Sequence, residues 1–149
     1  MKTGSKGIEL IKKYEGFEPE PYLCPAGIPT IGYGATYYEN GDSVSLTDCS
    51  MTEPEAEQLL MYMLDRYEKG VSRYLARSIT NNQFSALVSF AYNLGLGALK
   101  GSTLLKVINK DPLNEDIKHQ FSRWVKAEGR TLAGLVKRRK EESKLYFQV

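Results

Sequence analysis

The sequence predicts an α+β fold, predominantly helical, in which a small antiparallel sheet lobe accompanies a larger helical lobe. Two observations carry this. Residues 17–47 hold four of the six prolines and four glycines, a density that excludes a long helix and supplies turns. From Thr52 onward apolar residues recur at helical spacing almost to the C-terminus. The 149 residues suffice for a single domain with its own core. The sheet lobe is expected over about residues 16–64, and the helical lobe from residues 1–15 together with 70–149.

The first element is a helix from Ser5 to Glu15. Ile8, Ile11 and Tyr14 form a stripe at three-residue steps, and Gly16 suits the position after a helix C-terminus. Glu15 therefore falls in the last turn. Next, Thr30-Ile31-Gly32-Tyr33-Gly34 alternates, which puts Thr30, Gly32 and Gly34 on one strand face and Ile31 and Tyr33 on the other. Asn40-Gly41 is a turn signal. Thr52 and Glu55 form a capping box before a helix that carries Ala56, Leu59, Leu60, Met63 and Tyr67 and ends at Gly70. Thr80 and Gln83 form a second box, Ile79 and Phe84 fit a hydrophobic staple, and the apolar stripe runs from Phe84 through Leu94 to Gly95. Shorter helices are expected over 103–110, 115–126 and 134–147, with Trp124 on a core stripe with Phe121 and Ile117.

Composition excludes several classes. Hydrophobic residues at 42% and charged residues at 26% are ordinary for a globular protein and argue against disorder. A net charge of +2 does not commit the chain to a polyanion. The charge is nevertheless uneven. Met1–Glu68 has five basic and twelve acidic residues, and Lys69–Val149 has fifteen and six. A solvated helical surface accounts for the basic half. Neither a membrane-spanning run nor a signal-peptide core is visible, so synthesis and retention in a cytoplasm are expected. Two cysteines, Cys24 and Cys49, are too few for a disulfide scaffold and lack zinc-site spacing. The lone His119 reads as a surface or half-buried histidine, and no metal site is expected.

Three residues draw attention for chemistry. At a helix C-terminus the backbone presents partial negative charge, which disfavours a carboxylate and favours the protonated form that a general acid needs. Glu15 has that placement. Eight residues separate it from Cys24, and five separate Cys24 from Thr30. Taken alone, Glu15 reads as a solvent-exposed helix end and Cys24 as a small buried hydrophobe.

Their company changes that reading. Tyr14-Glu15-Gly16-Phe17, Tyr22-Leu23-Cys24-Pro25-Ala26-Gly27 and Thr30-Ile31-Gly32-Tyr33-Gly34 resemble the phage lysozyme (endolysin) family, glycoside hydrolase family 24. So do Ala91-Tyr92-Asn93-Leu94-Gly95, Gly97, Ser102-Thr103-Leu104-Leu105 and the ending with Trp124, Gly134-Leu135, Arg138-Arg139 and Glu142. The matches run in order from about residue 8 to residue 147 and are specific as a set. One departure is Ala35, where many members carry a histidine that would support the hairpin.

The resemblance implies a two-lobed lysozyme-like catalytic domain that hydrolyses the β-1,4 bond between N-acetylmuramic acid and N-acetylglucosamine. It implies Glu15 as general acid, Cys24 as nucleophile or base, and Thr30 as the residue orienting water or thiol. Gly34, Tyr92 and Asn93 would touch the glycan, Tyr92 by stacking and Asn93 through its amide; a core role for Tyr92 carries equal weight. No cofactor is required. The implied partners are peptidoglycan strands and a separate holin-type protein that releases a monomeric enzyme from the host cytoplasm, with no nucleic acid and no stable membrane insertion. The principal rival is a lysozyme-like module that binds peptidoglycan without cutting it, which the filled triad positions disfavour. Nucleic-acid binding through Lys137, Arg138, Arg139 and Lys140 is a minor rival, since Glu141 and Glu142 follow at once. A disulfide between Cys24 and Cys49 would alter control without altering the reaction.

Overall fold

The computed structural model describes residues 1–149. The elements run α1 (Ser5–Glu15), β1 (Glu18–Leu23), β2 (Pro29–Gly32), α2 (Glu53–Tyr74), α3 (Asn81–Leu94), α4 (Leu96–Lys100), α5 (Thr103–Lys110), α6 (Asp116–Ser122), β3 (Lys126–Ala127), β4 (Arg130–Thr131) and α7 (Ala133–Tyr146). This is the mainly helical α+β class that the sequence predicts. The chain divides into two compact units, one of Glu15–Arg66 and one of Met1–Tyr14 with Tyr67–Val149.

In the first of these, β1 and β2 pair antiparallel, with Tyr22 opposite Thr30 and Leu23 opposite Pro29. The register shifts between Glu18 and Tyr22, the stretch that holds Pro19 and Pro21. Proline has no N–H to give a ladder, so an irregular edge is the arrangement it tolerates. The carbonyl of Pro19 accepts instead from the Met51 N–H at 2.7 Å. Ile31, Tyr33, Leu59, Leu60 and Leu64 are buried, and the start of α2 is fixed by the Thr52–Glu55 box, with the Thr52 N–H donating to Glu55 Oε1 at 3.1 Å and the Glu55 N–H to Thr52 Oγ1 at 3.3 Å.

The alternation read over Thr30–Gly34 ends early. Gly32 and Gly34 take φ of 66° and 88°, left-handed values that side chains resist. The chain reverses there, and Ile31 and Ala35 exchange both backbone hydrogen bonds at 2.9 Å. Gly32 and Gly34 thus do not continue an open strand face beside Thr30. A Cβ on Gly32 would lie 3.3 Å from Ala56 Cβ and from Met51 Sδ, so the space at Gly32 is filled by the packing of α2.

The helical unit is built around α3, whose Phe84, Leu87, Val88, Phe90 and Ala91 are fully buried and which packs chiefly against α7. Thr80 caps it in the predicted box. The N-terminal segment is tied down by Thr3, whose N–H and hydroxyl both donate to Glu68 Oε2 at 2.6 and 2.7 Å, and by the Gly4 N–H on Ser85 Oγ at 2.9 Å.

Three sequence expectations need correction here. Helix α2 does not stop at Gly70 but runs to Tyr74; a Cβ on Gly70 would sit 2.6 Å from Leu96 Cδ2, so this glycine admits a neighbour and does not end a helix. Helix α6 ends at Ser122 rather than near 126. The chain then makes a second hairpin, β3–β4, whose turn residues Glu128 and Gly129 both have positive φ, 52° and 77°, as a two-residue hairpin turn requires. Trp124 consequently lies beyond the helix and half-buried, edge-on to Phe90 with ring centres 5.5 Å apart. Finally, the basic run at 137–140 is not one patch. Arg138 and Arg139 are 3% and 1% exposed and both pair with the buried Glu142 at 3.3 and 2.8 Å.

Candidate active site

Glu15 closes α1, and Gly16, at φ 71°, takes the left-handed conformation that ends helices. The Glu15 side chain is half-buried. From there the chain enters β1, which brings Tyr22 and then Cys24 to the mouth of the hairpin.

The local sequence dictates what happens at Cys24. Pro25 and Gly27 occupy the second and fourth positions of a β-turn, where proline's fixed φ and glycine are favoured. The Gly27 N–H donates to the Cys24 carbonyl at 2.8 Å, and the Cys24 N–H to the Ile28 carbonyl at 3.1 Å. Wrapped this way, the loop keeps the backbone N–H groups of Ile28 and Ala26 near the Cys24 side chain. These donors, the Ile28 amide foremost, with the hydroxyl of Thr30 added, outweigh desolvation and hold the thiol below its ordinary pKa.

Thr30 is almost fully buried on β2. Its Oγ1 donates to the Ile28 carbonyl at 2.8 Å, and its hydroxyl also favours the Cys24 thiolate. A hydroxyl has one proton, and Thr30 gives it here to the Ile28 carbonyl. Cys24 and Cys49 are both free thiols.

Tyr22 is the residue that sequence reasoning missed. It sits opposite Thr30, and burial, then the charges of Glu18, Glu15 and Cys24, push its phenol up. Its hydroxyl is therefore in the electrostatic field of both Glu15 and Cys24. The signal was available, since residues two apart in a strand share a face, and Tyr22 stands two before Cys24. Glu18 and Glu20 are exposed on β1. Gly34 is half-buried in the turn after β2.

The remaining predicted residues, Tyr92 and Asn93, belong to the helical unit, in the last turn of α3. Both are half-buried. The Tyr92 ring meets Tyr67 edge-on at 5.2 Å. Asn93 Oδ1 accepts from a terminal nitrogen of Arg139 at 2.7 Å. His119 is exposed on α6, and no group of three or more histidine, cysteine or acidic side chains gathers as metal ligands would.

Comparison with known proteins bears on the family and the fold. A family model described as phage lysozyme matches residues 12–142. The endolysin of Bacillus phage B103 is 39% identical over 148 residues, covering 99% of this chain and 54% of its own length; the chain thus spans about half of that relative. The solved endolysin of Escherichia coli O157:H7 phage FAHEc1 superposes with a TM-score of 0.89 at 34% identity, covering 99% of this chain and 94% of its own. A variant of P22 lysozyme gives a TM-score of 0.87 at 31% identity, with 99% of each chain covered.

Proposed function

This chain belongs to the phage lysozyme family, and we propose that it is an endolysin that hydrolyses β-1,4 bonds between N-acetylmuramic acid and N-acetylglucosamine in bacterial peptidoglycan. The observation that carries the reading is the turn after β1, where the Cys24 thiol is held below its ordinary pKa beside the Ile28 and Ala26 amides and the Thr30 hydroxyl while Tyr22 sits in the field of both that thiol and Glu15.

In the proposed reaction Glu15 gives its proton to the glycosidic oxygen, which cannot leave as an alkoxide. Cys24, whose neighbouring amides favour its ionised form, serves the anomeric carbon. As a base it takes a proton from the attacking water; as a nucleophile it forms a thioglycoside that water then opens. Thr30 orients the water or the sulfur by choosing where its single proton points. Gly34, Tyr92 and Asn93 contact the glycan. Every step is a proton transfer or an exchange at one carbon, so no cofactor is required.

The place of action follows from the substrate. The protein accumulates as a monomer in the host cytoplasm, a separate holin-type protein opens the membrane, and the enzyme then reaches the wall. No helix is long and apolar enough to cross a membrane.

Digestion of purified peptidoglycan followed by borohydride reduction and mass spectrometry tests the bond assignment. Fragments ending in reduced muramic acid are expected. Fragments ending in reduced glucosamine, or none from a folded protein, would overturn the assignment.

A further inference from the structure

The chain leaves α1 through a residue with open space around it. Gly16 is exposed, its φ is 71°, and a Cβ built on it would meet no atom within 4 Å. A left-handed glycine so placed ends the helix, but no packing at that point holds the chain. Phe17 comes next, and its ring packs on Tyr33 with centres 5.7 Å apart and planes at 44°.

Tyr33 is itself fixed from two sides. Its side chain is buried, at 4% exposure, and its hydroxyl donates to Glu53 Oε1 at 3.2 Å, on the first residue of α2. Its backbone forms the tip of the turn that Ile31 and Ala35 close with two hydrogen bonds at 2.9 Å. Thr30, on β2, stands three residues before it. The ring on which Phe17 rests is therefore tied to α2 by a hydrogen bond and to Thr30 by a short length of pinned backbone. All of these residues lie in the unit Glu15–Arg66. We propose that Tyr33 is a positioning residue for the acid: through Phe17 it sets Glu15 against the strand that carries Thr30, and Glu53 sets Tyr33. The inference rests on the general-acid reading of Glu15 and adds to it the residues that place the carboxyl. A proton donor acts only within hydrogen-bond reach of the leaving oxygen, and a misplacement of about 1 Å can cost about a hundredfold in rate. A loosened brace thus lowers turnover while the contacts that hold the glycan are kept.

The test is kinetic, on uncross-linked peptidoglycan strands with the full chain. Tyr33→Phe keeps the ring and removes the bond to Glu53; Phe17→Leu keeps an apolar side chain and removes the ring pair. Each should lower kcat about tenfold with KM changed less than about twofold, since what is lost is orientation and not ground-state binding. Combined, they should cost little more than the worse of the two, as links of one brace do. Tyr38→Phe is the control. It removes another tyrosine–carboxylate bond of the same unit, from the Tyr38 hydroxyl to Asp48 Oδ2 at 2.8 Å, and should leave kcat unchanged. Thermal unfolding by circular dichroism checks that each protein is folded at the assay temperature. Wild-type kcat in either folded brace variant would overturn the proposal, and so would losses that multiply in the double variant or an equal loss in Tyr38→Phe. Glu15→Gln on the same strands is scored separately. An active Glu15→Gln protein would sink the general-acid reading, whereas an inactive one beside brace variants of wild-type rate would sink this inference alone.

Discussion

Tyr22 and Thr30 face each other across the β1–β2 pair, and two residues beyond Tyr22 the chain turns at Cys24. Burial and the surrounding negative groups push the Tyr22 phenol above its usual range, which favours the protonated form that can donate to a charged neighbour. Tyr22→Phe retains the ring and removes that donor. Turnover should fall about tenfold with substrate affinity little changed, in line with a lost hydrogen bond to a charged group, as initial rates over a range of soluble glycan concentrations would reveal.

Cys24 sets a pH dependence whose sign follows from its environment. Amide donors favour the thiolate and lower the pKa, so the active ionised form dominates above that value and is lost as pH falls through it. The acid limb of the rate profile should report this ionisation. Cys24→Asp should move the limb to lower pH, as a carboxylate titrates lower than a thiol, and Cys24→Ser should abolish it along with most of the turnover. A serine variant with the wild-type profile would assign Cys24 to packing.

Removing Glu142 leaves two guanidinium groups buried without their carboxylate. Glu142→Leu should cost about 3–5 kcal/mol, which lowers Tm by about 10 °C for a chain of this size. Thermal unfolding followed by circular dichroism measures it. An unchanged Tm would mean that the cluster contributes no stability.

At Gly32 two effects act in the same direction. The backbone is left-handed, costing a side chain about 1–2 kcal/mol, and the added Cβ would crowd Ala56 and Met51. Gly32→Ala should therefore destabilise by about 2 kcal/mol or more, read from denaturant midpoints. A neutral result would show that the turn can rearrange.

Local rules that act over a few residues were legible in the sequence. Both capping boxes and the glycine that ends α1 are as their spacing predicts, because each is closed by atoms three or four residues apart. Features that depend on a distant partner were not. Gly70 looks like a helix terminator until Leu96 is seen against it. Arg138 and Arg139 look like a basic surface until Glu142 and Ser89 enclose them. The β3–β4 hairpin is too short and polar for periodicity to register. At the candidate site, Glu15, Cys24 and Thr30 were picked out by spacing and resemblance, whereas the amide donors on Cys24 come from the backbone and have no side-chain signature.

The most direct measurement compares wild type and Glu15→Gln on the same purified peptidoglycan, with the melting temperature of both recorded. The substitution keeps the shape of the side chain and removes its transferable proton. A loss of about a thousandfold in glycan cleavage, with Tm preserved, is the predicted result. A folded Glu15→Gln protein that cleaves within about tenfold of the wild type, less than a general acid contributes, would contradict the assignment of Glu15 as the general acid.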